Sequence, residues 1–193
     1  ILRMEEKPGH FLILGGGYIG CEFASIFAQL GSQVTLVEME NRLLPGMDPD
    51  LAKLLERQFK QQGITLHLGR RMERATTGAG MTLTLDDGET LTGDQLLVAI
   101  GRVPNTENLG LETAGVELDS RAIRVDNRMQ TTAPGIFAIG DVTGQMQLAH
   151  VATARGRVVV DNLLDENANA TMDYDQVPAA VFTHPEIATI GLT

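Results

Sequence analysis

The residues with the clearest chemical meaning lie between Phe11 and Glu38. Four apolar residues, Phe11–Leu14, lead into Gly15-x-Gly17-x-x-Gly20, and Glu38 follows eighteen positions after the last glycine. In such a pattern the first glycine allows a tight turn, the second lets a pyrophosphate approach the backbone, and the third lets a helix pack closely on the sheet. The N-terminus of that helix offers N–H groups and the positive end of its dipole to phosphates. Glu38 would accept hydrogen bonds from an adenosine ribose.

This pattern predicts dinucleotide binding, with a purely structural strand-turn-helix as the alternative. The flanks agree with binding, because an apolar strand precedes the glycines and a helical run and a second strand follow them. Glu38 favours NAD(H) over NADP(H), since a carboxylate repels the 2′-phosphate. Arg42 lies close enough in the chain to soften that preference.

The composition narrows the function class. The chain has 193 residues with 43% hydrophobic and 21% charged residues, which is typical of one large or two small globular domains. Its 15 basic and 25 acidic residues give a net charge of −10, which argues against nucleic-acid binding. No apolar run is long enough to span a membrane. The histidines are too dispersed for a metal site. A single cysteine fits a reducing compartment, so the cytoplasm is expected.

The hydrophobic periodicity predicts the elements that must position the glycine turn. A βαβαβ unit is predicted over the first 68 residues, followed by an antiparallel meander and a buried parallel strand. A second unit should start near residue 123 with two strands and a helix. The predicted elements are strands at Phe11–Leu14, Val34–Val37, Ile64–Leu68, Glu73–Thr77, Met81–Leu85, Thr90–Thr92, Gln95–Ile100, Ile123–Val125 and Ile136–Ile139, and helices from Tyr18 to Leu30, from Pro49 to about Gln62 and from Leu148 to Leu164.

Four motifs in this order give the chain a family resemblance. They are the glycine pattern with Glu38, Ala99-Ile-Gly-Arg102-Val-Pro-Asn105, Thr132-Ala-Pro-Gly-Ile-Phe-Ala-Ile-Gly140-Asp141, and Val177-Pro-Ala-Ala-Val-Phe-Thr-His-Pro-Glu186 with Gly191-Leu-Thr193 after it. Together they resemble the flavoprotein pyridine nucleotide-disulfide oxidoreductases, most closely the dihydrolipoamide dehydrogenase branch. The resemblance covers essentially the whole chain.

The resemblance implies an α/β fold: a Rossmann-like parallel sheet with an antiparallel β-meander, followed by a partial FAD-binding domain. It implies an NAD-binding domain at 1–122, the returning part of the FAD domain at 123–176 and the start of a dimer-interface domain at 177–193. Both chain ends suggest a piece of a longer protein. This chain lacks three features of the family: the first FAD segment, the redox cysteine pair and the His-Glu acid-base pair. The catalytic residues are therefore expected outside this chain. The resemblance also implies that the complete protein is a homodimer.

The resemblance also implies cofactor contacts. NAD would be held by Gly15, Gly16, Gly17, Tyr18, Ile19, Gly20 and Glu38, with Met72 near the adenine and Gly101 close to the dinucleotide. FAD would be held by Asp141 at its ribityl chain and by the helix start at Gln147, Leu148, Ala149 and His150, whose positive end faces flavin N1 and O2.

Two further roles come from the resemblance, and each has a simpler alternative. Tyr18 resembles the aromatic residue that covers the flavin, and Glu22 resembles an acid that pairs with a lysine beside it. Tyr18 could instead be ordinary packing, Glu22 a solvated helix residue, Asp141 a turn cap and His150 a helix-start residue. Cys21 is interpreted as a packed core thiol.

The implied activity is hydride transfer between reduced flavin and NAD, coupled to dithiol chemistry. The alternatives are an inactive NAD-binding module or a related mercuric reductase, transhydrogenase or oxidase.

Overall fold

The structure is a computed structural model, and it describes residues 1, 3–165 and 167–191. The chain divides into two compact units, one formed by Ile1–Gly101 with the segment that starts at Pro178, and the other by Arg102–Val177. The domain limits 1–122, 123–176 and 177–193 refer to the complete protein and stay a prediction. Residues 192–193 of the last one lie outside the described residues.

The elements alternate between strand and helix in the first unit and are sparser in the second. The strands are β1 (His10–Leu14), β2 (Gln33–Glu38), β3 (Thr65–Leu68), β4 (Met72–Thr77), β5 (Met81–Leu85), β6 (Thr90–Gly93), β7 (Gln95–Val98), β8 (Leu118–Asp119), β9 (Ala122–Ile123), β10 (Ala179–Val181) and β11 (Ile187–Thr189). The helices are α1 (Tyr18–Gln29), α2 (Pro49–Gln61) and α3 (Ala149–Leu164), with 3-10 turns at Gly140–Thr143 and Tyr174–Gln176.

A four-stranded parallel sheet is the centre of the first unit. Its strand order is β3-β2-β1-β7, with β1 paired in parallel to both β2 and β7. The antiparallel sheet β4-β5-β6 follows β3 in the chain. The mixed α/β class, with a parallel sheet and a separate β-meander, is therefore confirmed. The carboxyl ends of β1, β2 and β7 meet at one edge, where ligands bind in open parallel sheets.

Local sequence explains where α1 and α2 begin and end. Asp48 caps α2 by accepting a hydrogen bond from the N–H of Asp50 at 2.8 Å, and Pro49 occupies the first helical position. Gly31 and Gly63 follow the two helices with φ of 84° and 82°, the left-handed conformation that ends a helix. Both predicted helices are thereby confirmed.

The core of the first unit lies between the parallel sheet and these helices. Its buried members come from β1, β2, α1 and α2, from the neighbouring residues Leu43, Leu44 and Ile64, and from two residues near the end of the chain, Val181 and Ile187. β10 and β11 form an antiparallel hairpin that carries those two residues. The last segment thus belongs to the core of the first unit.

Three strand predictions were wrong in part. The apolar run at residues 95–100 indicated a buried strand, but β7 ends at Val98, which is 55% exposed, and Ile100 is 72% exposed. Among the described strands β7 pairs only with β1, so its outer edge is uncovered. The predicted strands Ile123–Val125 and Ile136–Ile139 reduce to β9 and to single bridges between Val125 and Thr131 and between Gln130 and Phe137.

The second unit has a small core and one long helix. One cluster of its buried apolar residues consists of Val116, Ile123, Ala133 and Ala138. The buried stripe of α3 consists of Val151, Arg155, Val158 and Asn162, so two polar residues occupy positions on the helix face that meets the core. Over the described residues, neither unit contains a helix that is both long and apolar enough to cross a bilayer.

Candidate functional site

The glycine turn lies between the end of β1 and the start of α1. Gly15 has φ of 108°, a conformation that residues with a Cβ rarely adopt, and a Cβ on Gly20 would overlap the carbonyl oxygen of Gly15. An added Cβ at Gly17 would instead meet no described atom within 4 Å. The turn therefore needs its first and third glycines for its own geometry and leaves open space at the second.

Glu38 ends β2 and is held in place by the backbone around it. Its Oε2 accepts a hydrogen bond from the N–H of Gly16 at 2.5 Å, and its Oε1 accepts one from the N–H of Glu40 at 2.8 Å. The residue is only 8% exposed. Each carboxylate oxygen has two lone pairs, so the fixed carboxylate keeps acceptor capacity for ribose hydroxyls.

The loop after β2 covers the glycine turn, a feature that sequence reasoning missed. The N–H of Leu44 donates to the carbonyl of Gly16 at 2.9 Å, and the N–H of Leu43 donates to Glu56 of α2 at 3.0 Å. Both leucines are buried, and Leu44 has φ of 48°. Two consecutive leucines in the loop between β2 and α2 were the available signal. Arg42 donates to the carbonyl of Pro45 at 2.5 Å within this loop.

Tyr18 and Glu22 lie on the first turns of α1. Tyr18 is 38% exposed at the start of the helix. Glu22 Oε1 accepts a hydrogen bond from the N–H of Phe182, next to β10, at 2.9 Å. Within the described part of the chain no lysine pairs with Glu22. Ile19 lies between them and is half-buried.

Met72 and Gly101 lie in the same unit as the glycine turn. Met72 opens β4 and packs against the cluster of Leu14, Val37 and Leu85. Just before it, Gly69 and Arg70 donate to the backbone carbonyls of Glu40 and Glu38 at 2.8 and 3.0 Å. Gly101 follows β7 with φ of 122°. All these predicted nucleotide contacts therefore share the first unit, around the carboxyl ends of β1, β2 and β7.

The residues predicted to contact FAD form a group in the second unit. Asp141 lies in the turn Gly140–Thr143 and accepts a hydrogen bond from Arg102 Nη2 at 2.5 Å, with 41% of its side chain exposed. Gln147 donates from Nε2 to the carbonyl of Asp141 at 3.4 Å. Leu148 is the N-cap residue of α3 and no described side chain caps that helix end. Ala149 and His150 are exposed on its first turn.

Arg155 lies behind this group and was not identified from the sequence. It is fully buried, and its guanidinium donates to acceptors in the 140–147 loop, the segment from Gly140 to Gln147. The helical spacing from Val151 to Arg155 and Val158 was the available signal, because these positions share one face of α3. The apolar residues of this helix predict that Val151, Ala154, Val158 and Leu163 share its buried side, but Leu163 is 62% exposed.

Cys21 is a core thiol, as predicted. It is fully buried in α1, and its Sγ donates to the carbonyl of Gly16 at 3.3 Å. Burial raises the pKa of the Cys21 thiol well above its ordinary value, and the negative charges of Glu38, Glu22 and Glu56 raise it further. Over the described residues no group of three or more His, Cys, Asp or Glu side chains could hold a metal ion.

Both groups of residues fit the nucleotides that the sequence predicts. The glycine turn combines an open second glycine with a fixed acceptor at the adjacent strand end, as an NAD site requires. The second unit offers a half-exposed carboxylate and an uncapped helix N-terminus, which suit a polyol and an electron-rich ring edge.

Comparison with known proteins gives one family match over most of the chain. The model of the family described as pyridine nucleotide-disulphide oxidoreductase matches residues 1–156. Dihydrolipoyl dehydrogenase of Synechocystis sp. is 41% identical over 205 aligned residues, covering 100% of this chain and 43% of that protein. Homologues of this kind use FAD and NAD.

Two solved structures share the fold closely. LpdA from Mycobacterium tuberculosis has a TM-score of 0.92 and 39% identity, covering 98% of this chain and 41% of its own. The HOCl-induced flavoprotein disulfide reductase RclA from Escherichia coli has a TM-score of 0.90 and 40% identity, covering 97% of this chain and 43% of its own. The chain therefore spans about two fifths of the length of these relatives.

Proposed function

Because the chain belongs to the pyridine nucleotide-disulphide oxidoreductase family, we propose that it is the NAD-binding part of an FAD-dependent oxidoreductase resembling dihydrolipoyl dehydrogenase. With FAD and NAD bound, the complete protein would transfer two electrons as a hydride between the reduced flavin and the nicotinamide, coupled to a dithiol. This chain's share is to bind the dinucleotide, orient it and complete one side of the flavin site.

The observation that carries the proposal is the arrangement of Glu38 and Gly17. The carboxylate is fixed beside the glycine turn by the N–H groups of Gly16 and Glu40, and Gly17 leaves open space next to it. A ribose diol can hydrogen-bond to the carboxylate while the pyrophosphate approaches Gly17 and the start of α1. The fixed negative charge favours NAD(H) over NADP(H), because the 2′-phosphate would lie against it.

Calorimetric titration of the 193-residue chain with NADH and with NADPH tests the proposal. We expect NADH to bind and NADPH to bind more weakly. The absence of binding for either nucleotide would contradict the NAD-binding role, and a preference for NADPH would contradict the role of Glu38.

A methyl group added at Gly17 tests NADH binding without an effect on folding. Gly17 has a φ of −72° and free space around an added Cβ, so Gly17→Ala should fold like the parent chain. The methyl would occupy the space that the pyrophosphate needs, and the NADH affinity should fall about tenfold or more, equivalent to about 1.4 kcal/mol. Gly78→Ala, in the β4–β5 turn with equally free space, is the matched control and should bind NADH normally.

The second unit supports the flavin part of the proposal. Asp141 would accept hydrogen bonds from the ribityl chain, and the start of α3 from Gln147 to His150 would face the electron-rich edge of the flavin. Tyr18 would cover the flavin until nicotinamide enters, and Glu22 would lie beside it. The homodimer is proposed for the complete protein from its family, and the cytoplasmic location from the single cysteine of this chain.

A module that binds NAD without activity is the second candidate, favoured by the single cysteine of this chain. The two candidates separate in an assay of lipoamide-dependent NADH oxidation. We expect none from the 193-residue chain, because the family's chemistry needs a pair of cysteines. Activity from the chain alone would contradict this division of roles.

A further inference from the structure

Arg155 is the bulkiest fully buried side chain among the described residues. It lies on α3 between Val151 and Val158, on the helix face that meets the core of the second unit. A charged side chain is almost never fully buried without a partner, because removing the charge from water costs several kcal/mol. Its position therefore requires compensation from the groups around it.

The compensation comes from four hydrogen bonds, three of them to the 140–147 loop. Nη1 donates to the carbonyl of Gly140 at 3.2 Å and to Oγ1 of Thr143 at 2.6 Å, and Nη2 donates to the carbonyl of Gln145 at 2.9 Å. Nε donates to the hydroxyl of Tyr174 at 3.2 Å, whose ring centroid lies 5.3 Å from the guanidinium carbon. The guanidinium thereby joins α3, the loop and the segment at Tyr174.

The network leaves a positive charge behind the loop. None of the ion pairs formed within the described residues involves Arg155, so its charge is met by neutral oxygens and by the ring of Tyr174. A guanidinium stays charged in proteins. The N-terminus of α3 lies only six residues away, about 9 Å along the helix, and its dipole has the same sign. The 140–147 loop is therefore close to two sources of positive charge, the Arg155 guanidinium and the N-terminal end of the α3 dipole.

We propose that Arg155 is a positioning residue for the flavin half-site: it fixes the loop that carries Asp141, and its charge favours negative charge on a ligand held there. The inference rests on the proposed function. The carbonyls of Gly140 and Gln145, one on each side of Asp141 in the chain, both accept hydrogen bonds from Arg155. The hydroxyl of Thr143 also donates to the Gly140 carbonyl, at 2.9 Å. Loss of the guanidinium would remove the hydrogen bonds that hold the backbone on both sides of Asp141.

The test compares variants of the complete flavoprotein. Arg155→Met removes the charge and the hydrogen bonds while it keeps an apolar side chain in the core. Arg155→Lys keeps the charge and loses the planar fork that reaches several acceptors. Arg157→Met, on the exposed side of α3, is the matched control. For each protein we would measure the FAD dissociation constant of the apo form, the midpoint potential of the bound flavin and the melting temperature without FAD.

We expect Arg155→Met to raise the FAD dissociation constant about tenfold or more, as loss of hydrogen bonds from a charged donor does. Its midpoint potential should shift to a more negative value, because reduction adds negative charge and the buried positive charge is gone. Arg155→Lys should raise the dissociation constant while it keeps a potential close to that of the parent protein. Arg157→Met should change neither quantity.

Three results would overturn the inference. An Arg155→Met protein with unchanged affinity for FAD and unchanged potential would show that the residue acts on the fold alone. Equal potentials in the Met and Lys variants would rule out the role of the charge. If Arg155→Met does not fold, Arg155→Lys decides, and an unchanged FAD dissociation constant there overturns the positioning role. A parent protein that binds no FAD would instead refute the proposed function itself.

Discussion

Glu38 serves the backbone and the predicted nucleotide site with the same two oxygen atoms. It accepts from Gly16 N–H at 2.5 Å and from Glu40 N–H at 2.8 Å. The sequence pattern predicts a carboxylate at this position, but it predicts only the contact with ribose. The contact with Gly16 could not be predicted, since it depends on how closely β2 approaches the turn.

Glu38→Gln should therefore lower stability in the absence of NAD. An amide has one acceptor oxygen, so one of the two backbone N–H groups would face an NH₂ donor instead of an acceptor. We expect a loss of about 1–3 kcal/mol in the free energy of unfolding, measured by urea denaturation without nucleotide. Glu40→Gln, at an exposed position two residues later, is the control and should change little. Equal stability of the Glu38 variant and the parent would contradict the structural role.

Cys21 predicts a specific dependence of stability on pH. Burial raises the pKa of the Cys21 thiol in the folded chain, whereas an unfolded cysteine ionises near pH 8.5. Above that pH the unfolded state loses a proton that the folded state keeps, so the free energy of unfolding should fall by as much as about 1.4 kcal/mol per pH unit. Below that pH this term is absent.

Comparison with Cys21→Ala isolates the contribution of Cys21 to the pH dependence of stability, since both proteins share all the other titrating groups. The stability advantage of the parent chain over the alanine variant should be constant from pH 6 to 8 and shrink above about pH 8.5. The native thiol should also resist alkylation until the chain is denatured. A constant difference across the whole pH range would contradict the interpretation of a buried neutral thiol.

At the scale of elements, local signals were sufficient for the helices and strands around the glycine turn. α2 is the clearest case, because Asp48 caps it and Gly63 follows it as the sequence indicates. Asp48→Ala should cost about 1 kcal/mol, the typical value of a lost N-cap. Asp50→Ala removes an exposed pair with Lys53 and an acidic side chain from the first turn, and should cost less, about 0.5 kcal/mol. Equal losses in chemical denaturation would contradict the capping role.

The elements that sequence reasoning missed depend on partners far away in the chain. Burial of Arg155 requires the carbonyls of Gly140 and Gln145 and the hydroxyl of Tyr174, which no local pattern on α3 reveals. β7 has the apolar composition of a buried strand, yet Val98 is 55% exposed, and among the described strands β7 pairs with β1 alone. The apolar composition of a segment shows that it could be buried, but the elements that pack against it determine whether it is buried.

At the scale of the whole molecule, the last segment returns to the first unit. Phe182 N–H donates to Glu22 and His184 N–H donates to Ser25 at 3.0 Å, both on α1, while the His184 carbonyl accepts from Gln62 Nε2 at 2.6 Å. Val181 and Ile187 add apolar contact with the core. The β10–β11 hairpin thus stabilises the unit that carries the predicted NAD site, although some eighty residues of chain separate it from β7.

Two isoleucines of the hairpin region provide a matched test of this contribution. Ile187 is 3% exposed and belongs to the core, whereas Ile190 is 64% exposed three positions later. Ile187→Ala should lower the free energy of unfolding of the 193-residue chain by about 2–5 kcal/mol, because it removes buried methyl groups and leaves a cavity. Ile190→Ala should cost less than about 0.5 kcal/mol. The same chemical change at the two sites, followed by urea denaturation, therefore measures packing alone, and equal effects would mean that the hairpin does not hold the first unit together.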